Sequence, residues 1–199
     1  MVSQADHARF AGELAAQWRE PVRLPAASFV RGVAEHDRGY GELDDAALGS
    51  VESERWVEIQ RRGFHPRRED AIVDLVVALH VRRLLSSRDN ELEQRAYDDV
   101  DTLLPSLLDA AGVTEEDAFA ADAVTNVCDV MSLLFCFEAE AERDVRGFRV
   151  RSDGLGTLWA DPWPFALESL AGEVPAYELD GYPGRLERVS LPYVVRSDG

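Results

Sequence analysis

The sequence predicts a mainly α fold. About six helices over residues 1–145 make the core, and residues 146–199 add a small β-rich extension packed on it as a single structural unit. Apolar residues recur at helical spacing through the first 145 residues, punctuated by cap residues such as Ser3, Gly39, Gly63 and Thr114. After residue 145 the period changes to short β-prone runs divided by Gly, Pro and Asp. The length of 199 residues and the 46% hydrophobic content suffice for one sizeable core.

Ser3 with Asp6 opens the first helix as a capping box, Asp standing in for the usual Glu or Gln. That helix runs to about Arg19 and stacks His7, Ala11, Leu14 and Trp18 on one stripe. After Pro21 and Pro25, a second helix is expected from Ala26 to Asp37, with Gly39 as its stop. A polar loop over 41–50 leads to an exposed third helix ending at Gly63. The fourth, 70-DAIVDLVVALHVRRLL-85, is apolar around much of its girth. A fifth covers Glu91 to Ala111, bent or interrupted near Pro105. Thr114 and Asp117 open the sixth and most hydrophobic helix, expected to reach residue 142. Strand-like runs follow at 147–152, 156–161 and 186–195.

Charge narrows the function classes. Asp and Glu total 38 against 21 Arg, with no Lys, for a net charge of −17. Such a chain is expected to bind neither nucleic acid nor an acidic membrane, because phosphate surfaces reward basic partners. It also fits a salt-adapted cytosolic protein, since molar salt shortens the screening length to about 3 Å, with a high-GC, non-halophilic source, which likewise favours Arg over Lys, as the alternative. No run reaches the roughly 18 uncharged apolar residues of a membrane span, and 1-MVSQADHARF-10 lacks the basic and apolar regions of a secretory signal. Cys128 and Cys136, eight residues apart on one helix, lie about 12 Å apart and cannot bridge. They read as core residues in a reducing cytoplasm.

The four His carry the chemical signal. His7 lies on the Leu14/Trp18 stripe, His36 and Asp37 follow the Phe29/Val33 face, and His80 continues the Val73/Val76/Val77 face. Asp129 interrupts 127-VCDVMSLLFCF-137, where Ser132 is the other strongly polar side chain. A buried carboxylate needs a cation, a metal or several donors. Taken singly, each group also reads as a hydrogen-bonded core residue, and Asp129 as the partner of Arg82 or Arg83. Taken together they place donors on the inward faces of four helices, a frame that suits a metal. Imidazole and carboxylate suit a divalent transition ion: Zn, Fe, Mn, Ni or Co. His65, beside Pro66 in an Arg-rich loop, is expected to be exposed and is the weakest ligand candidate.

The order His7, His36-Asp37, His80, Asp129 resembles the H…HD…D pattern of the HD superfamily of metal-dependent hydrolases. A closer resemblance is to domain-of-unknown-function family 3891, carried by 6-DHARFAGELAAQW-18, 33-VAEHDRGYGELD-44, 77-VALHVRRL-84, 128-CDVMSLLFC-136 and 161-DPWPF-165. Tyr40 stands where that family commonly carries Trp. The resemblance implies an HD-like helical core and a metal centre of His7, His36, Asp37 and Asp129. His80 would be a further ligand or an acid/base, and His80 and Asp37 the catalytic candidates. Arg38, Arg82 and Arg83 would clamp an anionic oxygen, since guanidinium suits bidentate recognition.

Three functions follow as expectations: a metal-dependent hydrolase of a small molecule, phosphoesters foremost; a di-iron oxygenase; or a non-enzymatic protein with a structural or ligand-binding polar core. Self-association of identical chains is left open. Adjacent His36 and Asp37 are about 100° apart on a helix, close enough for one ion to bridge near a helix end.

Overall fold

The computed structural model describes residues 1–42, 51–87, 90–178, 180 and 185–198. The polar loop expected at 41–50 falls almost wholly outside them. Among the described residues the chain forms six α-helices and one five-stranded sheet. The helices are α1 (Gln4–Ala16), α2 (Ala26–Ala34), α3 (Ser53–Phe64), α4 (Ala71–Leu85), α5 (Glu91–Ala111) and α6 (Glu115–Phe137). A short 3-10 turn, Arg38–Tyr40, follows α2.

Local chemistry explains the helix starts. Ser3 Oγ accepts from the Asp6 amide at 3.0 Å and donates to the Asp6 carboxylate at 2.7 Å, capping α1. Asp70, Asn90 and Thr114 cap α4, α5 and α6 through side-chain oxygens. Gly112, at φ +64°, ends α5 in the left-handed conformation that glycine adopts without strain. Pro105 lies inside α5, which nevertheless continues through it.

The strands are β1 (Glu140–Val145), β2 (Phe148–Asp153), β3 (Thr157–Asp161), β4 (Ser169–Tyr177) and β5 (Arg188–Ser197). They lie in the order β1-β2-β3-β5-β4, antiparallel except for the parallel β3–β5 pair. This corrects the expected fold class. The core is not an HD-like helical bundle, and the sheet is no small appendage. Val150, Leu158, Ala160, Phe165, Leu170, Val174 and Val195 share one buried cluster with Phe10, Leu14, Phe29, Val33, Val76 and Met131. Helices and sheet therefore form two faces of a common core.

Two strands escaped the sequence reading, for physical reasons. β1 opens with EAE, residues of good helix propensity, so the sixth helix is expected to run on to residue 142; it ends at Phe137. β4 contains Gly172 and Pro175, both poor strand formers. Pro is tolerated because β4 is an edge strand, and Gly172 is required because an added Cβ would meet the Tyr193 ring at 2.8 Å.

The segment 161-DPWPF-165 fastens sheet to helix. The Arg19 amide donates to Pro164 O, the Ala166 amide donates to Gln17 O, and Phe165 is fully buried against Trp18. Trp163 is partly buried and stacks edge-on against Phe165.

A second apolar cluster, including Val57, Leu75, Leu79, Leu85, Val100 and Leu104, lies between α3, α4 and α5. α4 is thus buried on both sides, which accounts for its apolar girth. α6 has the length and hydropathy to cross a membrane (mean hydropathy 1.5), yet half of that stretch is buried inside the protein. It also carries Asp122 and Asp129 on its buried side.

Candidate metal centre

Four elements deliver the buried polar cluster. His7 comes from the first turn of α1, His80 from α4 and Asp129 from α6. His36 and Asp37 lie just past α2, which ends at Ala34 rather than Asp37. Gly39 is no αL stop. It sits in the 3-10 turn pressed on α3, where an added Cβ would lie 2.2 Å from Ile59 O. This close approach holds the turn that carries His36 and Asp37 inward. His7 and His36 are fully buried, and the Asp37 and Asp129 side chains are 10% and 6% exposed.

The tautomers follow from the partners. His36 Nδ1 lies 2.7 Å from Val33 O, a pure acceptor, so Nδ1 carries the proton and Nε2 presents a lone pair. Ser132 Oγ donates to Asp129 O at 2.8 Å, so it accepts from His7 Nδ1 at 2.7 Å. His7 Nε2 is then also a lone pair. The two Nε2 atoms face each other at 3.2 Å. Asp37 Oδ2 is 3.5 Å from His7 Nε2 and 3.7 Å from His36 Nε2, while Asp129 Oδ1 is 3.4 Å from each.

Four electron-rich atoms converging in a dry core repel unless a cation sits among them. Four donors 2.0–2.2 Å from a tetrahedral ion would be separated by about 3.3–3.6 Å, close to the separations found. The donor set fits a divalent transition ion: two imidazoles and two carboxylates, each His oriented by a partner on its other nitrogen. Two triads, His7/His36/Asp37 and His36/His80/Asp129, have ligand atoms close enough to hold an ion. In the absence of an ion, a proton answers the same field. Burial would depress the His7 pKa, but Asp129, Asp37 and the Cys136 thiol raise it well above the usual histidine value. Burial likewise opposes ionisation of Asp37 and Asp129, and the surrounding histidines overcome it, holding both well below the usual carboxylate range.

His80 differs. Arg83 Nη2, which can only donate, lies 3.0 Å from its Nδ1, so that nitrogen is the acceptor and Nε2 carries the proton. Nε2 has no hydrogen-bond partner and lies 3.4 Å from Asp37 Oδ1. Burial, then the charges of His36 and Arg83, lower the His80 pKa, keeping it a neutral donor. Arg83 reaches Asp129 Oδ2 at 3.3 Å and Asp122 at 2.6 Å as well.

The other candidates are placed elsewhere. Arg38 binds Gly63 O, His65 O and Asp74, its side chain being 4% exposed. Arg82 binds Asp101 and lies over the Tyr97 and Phe119 rings. His65 is exposed and serves through its backbone carbonyl. Asp74, buried and fixing the Arg67 and Arg68 amides, went unremarked in the sequence; its position on the apolar face of α4 was the available signal.

Residues 1–181 match the model of a family described as Protein of unknown function (DUF3891). The chain belongs to DUF3891. The match spans all five cluster residues of this DUF3891 protein and most of its sheet. No curated protein and no solved structure matches it.

Proposed function

We propose that this DUF3891 protein is a metal-dependent hydrolase of a small molecule, with phosphoesters as the favoured substrate class. The observation that carries it is the 3.2 Å approach of His7 Nε2 to His36 Nε2 between two carboxylates kept ionised in a buried site. The order of these residues also resembles the HD hydrolases. His7, His36, Asp37 and Asp129 would hold the ion. When bound, the ion supplies Lewis acidity toward water and toward a phosphoryl oxygen. His80, its proton fixed on Nε2 by Arg83, donates a hydrogen bond toward substrate or leaving group beside Asp37 Oδ1. Asp37, the most exposed of the four, places its second oxygen 3.4 Å from that nitrogen.

The test is hydrolysis of a phosphomonoester and a phosphodiester chromogenic substrate by protein loaded separately with Zn, Mn, Fe, Ni and Co. His80→Gln is expected to keep the metal and lose about 10²–10⁴-fold in turnover, the range of a lost acid/base group. Unchanged turnover in His80→Gln would remove its assigned role. Absence of hydrolysis with all five metals would remove the hydrolase reading.

A non-catalytic metal or polar core is the second reading. It is favoured by one observation: all five side chains are buried, His7, His36 and His80 almost completely. The di-iron reading has less support, because His65 is exposed and stands outside the cluster.

A further inference from the structure

A cleft of about 230 Å³ lies beside Arg83, on the far side of its guanidinium from the cluster, lined by Arg82, Arg83, Arg146, Asp122, Leu79 and Phe119 among others. We propose that this cleft is a second binding site, for a small organic oxyanion of the phosphate-monoester class. It does not depend on a metal being bound at the cluster.

Charge is the first support. The chain carries −17 overall, yet three guanidiniums line this cleft against one carboxylate. Basic residues in the last turn of α4 suit its dipole, which accounts for Arg82 and Arg83. It does not account for Arg146, which comes from the turn between β1 and β2 and holds a left-handed φ of 51°. Arg82 and Arg83 have carboxylate partners of their own, Asp101 for Arg82 and Asp122 with Asp129 for Arg83, which leaves Arg146 without one at hydrogen-bond distance among the described residues. Asp122 is taken by Arg83 Nη1 at 2.6 Å, and Arg146 stands 3.8 Å away, too far for a hydrogen bond, with a half-exposed side chain. Arg82 uses its Nε on Asp101.

The walls give the rest of the ligand. Leu79 and Phe119 are apolar, and Phe119 is among the few exposed large hydrophobic residues described. Arg82 lies 5.7 Å over its ring. An anion held by guanidinium forks, with a flat organic group against Phe119, matches both surfaces. The volume admits a phosphate and a ring, not a polymer.

Calorimetric titration with inorganic phosphate and then phenylphosphonate, whose C–P bond a phosphoesterase does not cleave, tests this at constant ionic strength in KCl, on protein with metal loaded and with metal removed by chelator. A saturable site that persists after metal removal is expected, with phenylphosphonate the tighter ligand. Arg82→Ala and Arg146→Asn, the latter chosen because Asn tolerates the left-handed turn, should each weaken binding at least tenfold. Metal content and melting temperature should stay unchanged in both. Asp129→Asn, or chelator-treated wild type if that variant fails to fold, should bind phosphate as before. Affinity unchanged in both Arg variants, loss of binding on metal removal, or no saturation at tens of millimolar would each overturn the proposal.

Discussion

His7 and His80 share one cluster yet are pushed in opposite directions, and this sets a pH signature. The raised His7 pKa means its ion pairs stabilise the metal-free fold fully below the unfolded value of about 6.5, and that contribution is lost as pH rises through the higher folded value. His80, with a lowered pKa, does the reverse: the fold gains as pH rises toward about 6.5. Asp37 and Asp129, also lowered, contribute above about pH 3.9, and this is lost as pH falls through their folded values. Metal-free protein is therefore expected to be most stable near pH 6.5, measured by urea unfolding, and His7→Gln should flatten the alkaline limb. An unchanged alkaline limb in that variant would contradict the assignment. Metal affinity should rise with pH as the His7 proton is displaced. At this scale the inward groups were legible because each interrupts an apolar face. The capture of His80 by Arg83 was not, because nothing in 77-VALHVRRL-84 says that the arginine three residues on turns back to the imidazole.

The turn after α2 shows what element-level reading can and cannot reach. Gly39 is easily taken for a helix stop, since glycine serves that purpose most often. Its observed role is contact: the 3-10 turn rests on the α3 backbone with no room for a methyl group. Gly39→Ala is expected to cost about 3 kcal/mol, as overpacking against backbone does. It should also weaken metal binding by moving His36 and Asp37. A urea midpoint and metal content equal to wild type would show that the turn can shift freely. The helices were legible from period and caps, which are local signals. β1 and β4 were not, since their strand state comes from pairing across the sheet and from packing against α1 and α6, which override the propensity of EAERDV.

For the whole molecule, electrostatics and core architecture set separate expectations. With 38 acidic groups against 21 Arg, the folded chain repels itself at low ionic strength. Relief of about 3 kcal/mol by molar KCl would raise the melting temperature by roughly 6–12 °C in a chain of this size. A flat or falling melting temperature between low salt and molar KCl would contradict this. Because sheet and helices share one apolar cluster, removal of residues 146–199 should abolish cooperative unfolding of the remainder; a sharp near-native transition would show that the helices suffice. The central claim is that four donors from three separate elements converge on one ion. Native mass spectrometry of the intact protein, with elemental analysis, measures it directly. One transition-metal ion per chain is expected in the wild type, lost in His36→Ala and in Asp129→Asn, with Asp129→Ala also lowering stability. A metal-free wild type after incubation with each candidate ion, or stoichiometric metal surviving both His36→Ala and Asp129→Asn, would contradict it.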